Sequence, residues 1–165
     1  MLNLGTKFLL ASSVILGGFS TIAPAFAQTA TAPPIFDSIT IKPNVVPNPT
    51  GLRGVSGGPM SASHRSVANR VESPTGPCVG YVDLQPNHRM TLTSFFNDLR
   101  LEVQSPADTT LVVKGPGGSW CNDDAGGSKN PAIAGQWQPG IYSIWVGSYE
   151  NNEYHPYILK ITPVD

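Results

Sequence analysis

From Leu99 to Gln104 apolar and polar side chains alternate without a break: Leu99, Leu101 and Val103 point one way, Arg100, Glu102 and Gln104 the other. A period of two belongs to a β-strand with one dry and one wet face, because successive side chains leave the pleated backbone on opposite sides. The same period returns along the chain. Ser38-Ile39-Thr40-Ile41-Lys42 shows it and is stopped by Pro43, and Met90 and Leu92 alternate with Arg89, Thr91 and Thr93. Tyr142, Ile144 and Val146 oppose Ile141, Ser143, Trp145 and Gly147, while Tyr157, Leu159 and Ile161 oppose Ile158, Lys160 and Thr162. Cys78, Gly80, Val82 and Leu84 read as one face of a further strand, and Thr109 to Lys114 as a strand rich in β-branched residues. No segment carries a convincing helical pattern.

Turn chemistry separates these runs. Gly115-Pro116-Gly117-Gly118 offers positions of positive φ and predicts a hairpin into Ser119-Trp120-Cys121. Pro86-Asn87, the polar stretch Asn122 to Pro131, Pro139-Gly140 and Asn151-Asn152-Glu153 punctuate the rest, with a short strand expected around Ile133. Pro43 to Pro77 is dense in Pro, Gly, Ser and Asn and reads as loop, with only Leu52 to Val55 able to form a short strand. About eight short strands with turn signals between them predict an all-β fold, an antiparallel, jelly-roll-like β-sandwich of two sheets. The 13% of charged residues is low against the usual roughly 25% and fits turn-rich β structure.

Residues 1–27 have the pattern of a secretory signal peptide: Lys7, an apolar stretch from Phe8 to Phe19, and Ala25-Phe26-Ala27 as an A-x-A cleavage site. A membrane anchor is the competing reading, but Gly17, Gly18, Ser20 and Thr21 interrupt the run short of the roughly 20 apolar residues of a span. Residues 28–35 form a polar, flexible lead-in and 36–163 a single β-sandwich domain. The expected location is periplasmic or extracellular. A net charge of −1 provides no field that attracts nucleic acid or an anionic membrane. In an oxidising compartment the two cysteines, Cys78 and Cys121, are expected to form a disulfide; the alternative is two buried thiols.

The segment Ala107 to Val113, then Gly115-Pro116-Gly117-Gly118, Trp120-Cys121-Asn122-Asp123-Asp124, Pro139-Gly140-Ile141-Tyr142 and Ile144 to Tyr149 resembles the bacterial pre-peptidase C-terminal domain family. The resemblance covers about 78–162. It implies a non-catalytic β-sandwich of a kind usually appended to secreted peptidases, in a group where some related modules bind calcium or an insoluble substrate.

Two chemistries are candidates. Asp108, Asn122, Asp123, Asp124 and Asn130 place hard oxygen donors on loops expected to meet at one end of the sheet, as a calcium site requires; alternatively these residues only shape turns. Trp137, Trp145 and Tyr149, with Tyr154 and Tyr157, crowd the C-terminal third, and exposed aromatic planes stack on sugars and anchor partners. Trp145 is expected to be the exposed one, because it lies opposite the Tyr142-Ile144-Val146 face; the alternative is that all of them fill the core. An enzyme is not expected. His64, His88 and His155 are scattered, no Gly-x-Ser-x-Gly elbow occurs, and Ala125 stands in Asp124-Ala125-Gly126-Gly127 where a serine nucleophile would sit. The expected role is a secreted binding or structural module, with a protein or polysaccharide partner.

Overall fold

The alternating runs become the strands of two facing sheets. The structure, a computed structural model, describes residues 32–43 and 50–163; the expected signal peptide over 1–27 lies outside the described residues. In chain order the strands are β1 (Ile39–Ile41), β2 (Thr50–Val55), β3 (Met60–Ser61), β4 (Glu72–Ser73), β5 (Gly76–Pro77), β6 (Tyr81–Val82) and β7 (His88–Leu92). They continue as β8 (Phe96–Gln104), β9 (Thr109–Gly115), β10 (Gly118–Asn122), β11 (Ala132–Trp137), β12 (Gly140–Ser148) and β13 (Pro156–Pro163). The larger sheet has seven strands centred on β12, with β9 and then β10 on one side and β7 and then β1 on the other; β6 and β3 extend it. The smaller sheet runs β11-β8-β13-β2, and β4 and β5 form a separate ribbon.

The runs from Met90, Leu99, Tyr142 and Tyr157 bury the alternating apolar face read from the sequence. Met90, Leu92, Leu111, Val113, Tyr142, Ile144 and Val146 from the larger sheet meet Leu99, Leu101, Val103, Ile133, Leu159 and Ile161 from the smaller in one cluster. Each such side chain contributes about 1.5–3 kcal/mol on leaving water, so this cluster is the main favourable term in the fold. The hairpin after β9 also forms as expected, with Gly115 paired to Gly118 and Gly117 at φ 90°.

Three expectations are corrected. Among the described residues there are thirteen strands rather than about eight, four of them only two residues long, because brief ladders between loop segments leave no alternation to read. β1 runs parallel to β7, Ile39 beside Met90 and Ile41 beside Leu92, although antiparallel pairing was expected throughout. A period of two is the same in either direction. Cys78 to Leu84 is not one strand: Gly80 turns the backbone at φ 84°, and Leu84 is 54% exposed.

The fourth correction bears on function. The Pro-rich and Gly-rich stretch after β2, expected to be loop without a strand, carries β3, β4 and β5 and folds over the outer face of the larger sheet. Ala62, Val67, Ala68, Cys78 and Val82 pack there against Val112, Cys121 and Trp145 as a second cluster. The Cys78–Cys121 disulfide pins this layer, with Cα atoms 5.1 Å apart, and Lys114 Nζ donates to the Val67 carbonyl at 3.0 Å. Trp145, expected to be exposed, is 4% exposed. Periodicity states which face a side chain occupies, and a distant segment decides what covers that face.

Candidate functional site

Among the described residues β10 and β11 are edge strands, one from each sheet, so the sandwich is open between them. Asn122, the last residue of β10, laces this side together at one end. Its Oδ1 accepts the Ala132 N–H at 3.1 Å and its Nδ2 donates to the Thr75 carbonyl at 2.8 Å, which ties β10, β11 and the β4–β5 turn. Farther along the strands a cleft of about 210 Å³ is left. Trp120 from β10, Trp137 from β11 and Tyr142 from β12 line it, with Pro116 of the hairpin, Gln136 and Gln138.

The rings present their carbon surfaces. Trp137 Nε1 donates to the Leu99 carbonyl at 2.8 Å, and the Tyr142 hydroxyl donates to the Gln138 carbonyl at 2.8 Å. Trp137 stands edge-on to Tyr142 with centroids 5.1 Å apart, and Trp120 lies 6.2 Å from Trp137. Burial pushes the Tyr142 phenol above its usual value, so it stays protonated at neutral pH. The Thr75 hydroxyl, also at the cleft, donates to the Cys121 carbonyl at 2.8 Å. Among the described residues no Asp, Glu, Lys, Arg or His lines the cleft.

Alternation positions the wall. The register of β11 against β8 runs regularly from Ala132 opposite Glu102 to Gly135 opposite Leu99, then shifts so that Trp137 faces Phe96. The extra residue of this bulge lies on β8, three steps from Leu99 to Phe96 against two from Gly135 to Trp137, so Ile133, Gly135 and Trp137 keep to one face of β11. Trp137 turns into the core at 4% exposure while Gln136 stays outside. Gly135 adopts φ 146°, and a Cβ there would meet nothing within 4 Å.

The expected calcium ligands divide. Asn122 is the lace just described. Asn130 is equally committed: its Oδ1 accepts from Thr109 Oγ1 at 2.9 Å and its Nδ2 donates to the Ser105 carbonyl at 3.0 Å. Asp108 differs, because its Oδ1 is buried without a hydrogen-bond partner, and its Oδ2 lies 3.8 Å from Lys129 Nζ. Desolvation, then the Asp124 carboxylate, with smaller contributions from Asp123 and Glu150, raise the Asp108 pKa against the opposing pull of Lys129. Among the described residues no three His, Cys, Asp or Glu side chains stand close enough together to hold a metal ion.

Of the expected ligand-binding aromatics, Trp137 forms the cleft wall, Trp145 is under the outer layer with its Nε1 unpartnered, and Tyr149 is 45% exposed beyond the end of β12. Sequence reasoning missed Trp120, Tyr142, Pro116, Gln136 and Gln138 as cleft residues. The one available signal was Gly135, an isolated glycine in a strand, which marks a bulge or a close approach.

No family model matches the chain. An uncharacterized protein of Synechococcus elongatus is 32% identical over 87 residues, which are 50% of this chain and 63% of that protein. The chain thus spans less than two thirds of that relative's length. Among solved structures, the pre-peptidase C-terminal domain of collagenase from Bacillus anthracis is similar at 12% identity and TM-score 0.43, over 76% of this chain and 94% of that one. PliG of Aeromonas hydrophila, a periplasmic inhibitor of g-type lysozyme, is similar at 15% identity and TM-score 0.38, over 76% and 97%.

Proposed function

We propose that this chain is an exported, disulfide-stapled module that works by binding, and that its ligand site is the cleft between β10 and β11. The observation that carries the reading is a neutral, aromatic-walled cleft on the open side of the sandwich. A general base or nucleophile needs an ionisable or free hydroxyl group at the reacting atom. The hydroxyls of Tyr142 and Thr75 are both engaged with backbone carbonyls, which favours binding over catalysis. The leader pattern and the Cys78–Cys121 bridge support export. Of the aromatics expected to bind sugars, Trp137, Trp145 and Tyr149, this reading keeps Trp137 and adds Trp120.

The test is NMR titration of the isotopically labelled protein with small neutral rings, p-cresol and N-acetylglucosamine, at millimolar concentration. Shifts concentrated at the Trp120 and Trp137 indole N–H groups, lost in Trp120→Ala, support the cleft. Absence of shifts there with every ring would remove it.

Calcium is a second reading, now centred on Asp108 rather than on all five residues. Its orphaned buried oxygen and the neighbouring Asp123, Asp124 and Glu150 carboxylates favour a cation. A hard divalent ion there would neutralise the local repulsion.

A further inference from the structure

We propose that the free edge of β11 is a strand-addition site, which takes an extended polypeptide segment and receives one of its apolar side chains in the cleft. The inference rests on the cleft being the ligand site and names the class of ligand. It begins with the register. Because the Ala132 N–H is accepted by Asn122 on β10, Ala132 directs its main-chain groups away from β8. Main-chain direction alternates along an antiparallel strand, so Ala134, opposite Arg100, also turns its N–H and C=O outward. Among the described residues β11 pairs with β8 alone, and no hydrogen bond covers that side of Ala134.

The facing edge is treated differently. On β10 the outward groups of Cys121 are satisfied: its N–H donates to Ser73 Oγ at 2.8 Å and its carbonyl accepts from Thr75 Oγ1 at 2.8 Å. Sheet edges are ordinarily guarded by Lys, Pro or charge. The β11 sequence Ala-Ile-Ala-Gly-Gln-Trp carries none of these, and the space beside Gly135 is open. An edge with outward donors and acceptors, small side chains and no charged or proline guard complements another extended backbone.

Magnitudes select the size of the occupant. Clefts that enclose a whole small molecule have volumes of roughly 300–1,000 Å³. The 210 Å³ here suits a single side chain or ring, so the rest of the ligand lies outside and along the edge. The lining is uncharged, which selects an apolar anchor and disfavours Asp, Glu, Lys or Arg at that position. A six-residue strand is about 20 Å long, and its edge falls well short of the roughly 800 Å² per partner of a stable dimer. A short segment therefore fits better than a second folded copy.

The experiment titrates the labelled protein with acetyl-Thr-Thr-X-Thr-Thr-amide, where X is Ala, Leu, Phe, Asp or Lys, alongside p-cresol and cellohexaose. The Ala134 amide is expected to shift, and its hydrogen exchange to slow at least tenfold. Leu or Phe at X should bind at least tenfold more tightly than Asp or Lys. N-methylation of the peptide amides that face β11 should abolish binding. So should Ala134→Pro, which removes the edge N–H; the N-methylated peptides stand as the test if that variant does not fold. If p-cresol or cellohexaose shifts the Trp120 indole while no peptide moves Ala134, the cleft reading survives and strand addition falls. If no probe acts on the cleft or the edge, both fall. A concentration-dependent Ala134 shift without peptide would identify a second copy as the occupant and overturn the proposal.

Discussion

The Tyr157 hydroxyl meets His88 Nε2 at 2.8 Å in the middle of the core, a hydrogen bond from β13 of the smaller sheet to β7 of the larger. The partners fix its direction. His88 Nδ1 faces the Asp37 carbonyl oxygen at 2.8 Å, and a carbonyl only accepts, so Nδ1 carries the hydrogen and Nε2 accepts from Tyr157. Beside it Asn87 Oδ1 accepts the Val146 N–H at 2.9 Å and Asn87 Nδ2 donates to the Val55 carbonyl at 3.1 Å, a second polar tie between the sheets. Burial raises the Tyr157 phenol well above its ordinary range.

This pair makes stability pH-dependent. Burial lowers the His88 pKa below 6.5, against the opposing influence of Asp37, so the unfolded chain takes up the proton more readily than the folded one. The stabilisation is therefore full above 6.5 and is lost as the pH falls from there through the folded value, with a slope of at most about 1.4 kcal/mol per pH unit. Urea unfolding at pH 7.5 and pH 5 should show a larger drop for the wild type than for His88→Gln; parallel drops would refute the assignment. Tyr157→Phe leaves Nε2 without a donor and should cost about 1–3 kcal/mol at pH 7.5.

The disulfide joins residues 43 positions apart and anchors the outer layer to the sheet. Loop-closure entropy for that span is about 4 kcal/mol. Replacing both Cys78 and Cys121 by Ala should lower the unfolding free energy by about 2–4 kcal/mol in urea, and the near-ultraviolet signal of Trp145 should weaken as its cover loosens. A loss under about 0.5 kcal/mol would show that the layer holds without the tether.

Asn122 separates two roles by one substitution. As the lace between β10, β11 and Thr75 it needs both an acceptor and a donor, so Asn122→Asp keeps Oδ1 and loses the bond to the Thr75 carbonyl. Thermal unfolding should show Asn122→Asp destabilised by about 1 kcal/mol and Asn122→Ala by more. A calcium ligand would predict the reverse for Asp in the presence of calcium.

Asp108 is the place where calcium would act. Its raised pKa means that the ionised carboxylate costs stability at neutral pH, a cost relieved as the pH falls through the folded value. In chelator, Asp108→Asn should melt higher than the wild type, because it keeps the shape and removes the charge. Calcium at about 100 times its dissociation constant should stabilise the wild type by about 2.7 kcal/mol and leave Asp108→Asn unmoved. An unchanged wild-type melting temperature in excess calcium would end this reading.

The strands and their buried faces were legible because alternation is a local property: Leu99, Leu101 and Val103 bury as their spacing requires whatever lies across the sheet. The hairpin was legible for the same reason, since Gly117 states its own φ. The disulfide was legible by elimination, two cysteines in a chain with an export pattern. The site was not. Asn122 looked like a cation ligand and is a strap, Trp145 looked exposed and is roofed, and Trp120 and Tyr142 reach one cleft from strands that no short-range pattern connects.

The amino-acid sequence by itself determined which of the longer stretches extend, which face of each carries the alternating apolar residues, and where the hairpin turns, because these follow from backbone sterics and a two-residue period. Only the tertiary structure decided that β1 runs parallel to β7, that residues 60–82 cover the outer sheet, and that β10 and β11 part to leave an aromatic cleft beside an open edge. Those outcomes depend on which distant segments come together, and contact between remote segments leaves no period in the chain.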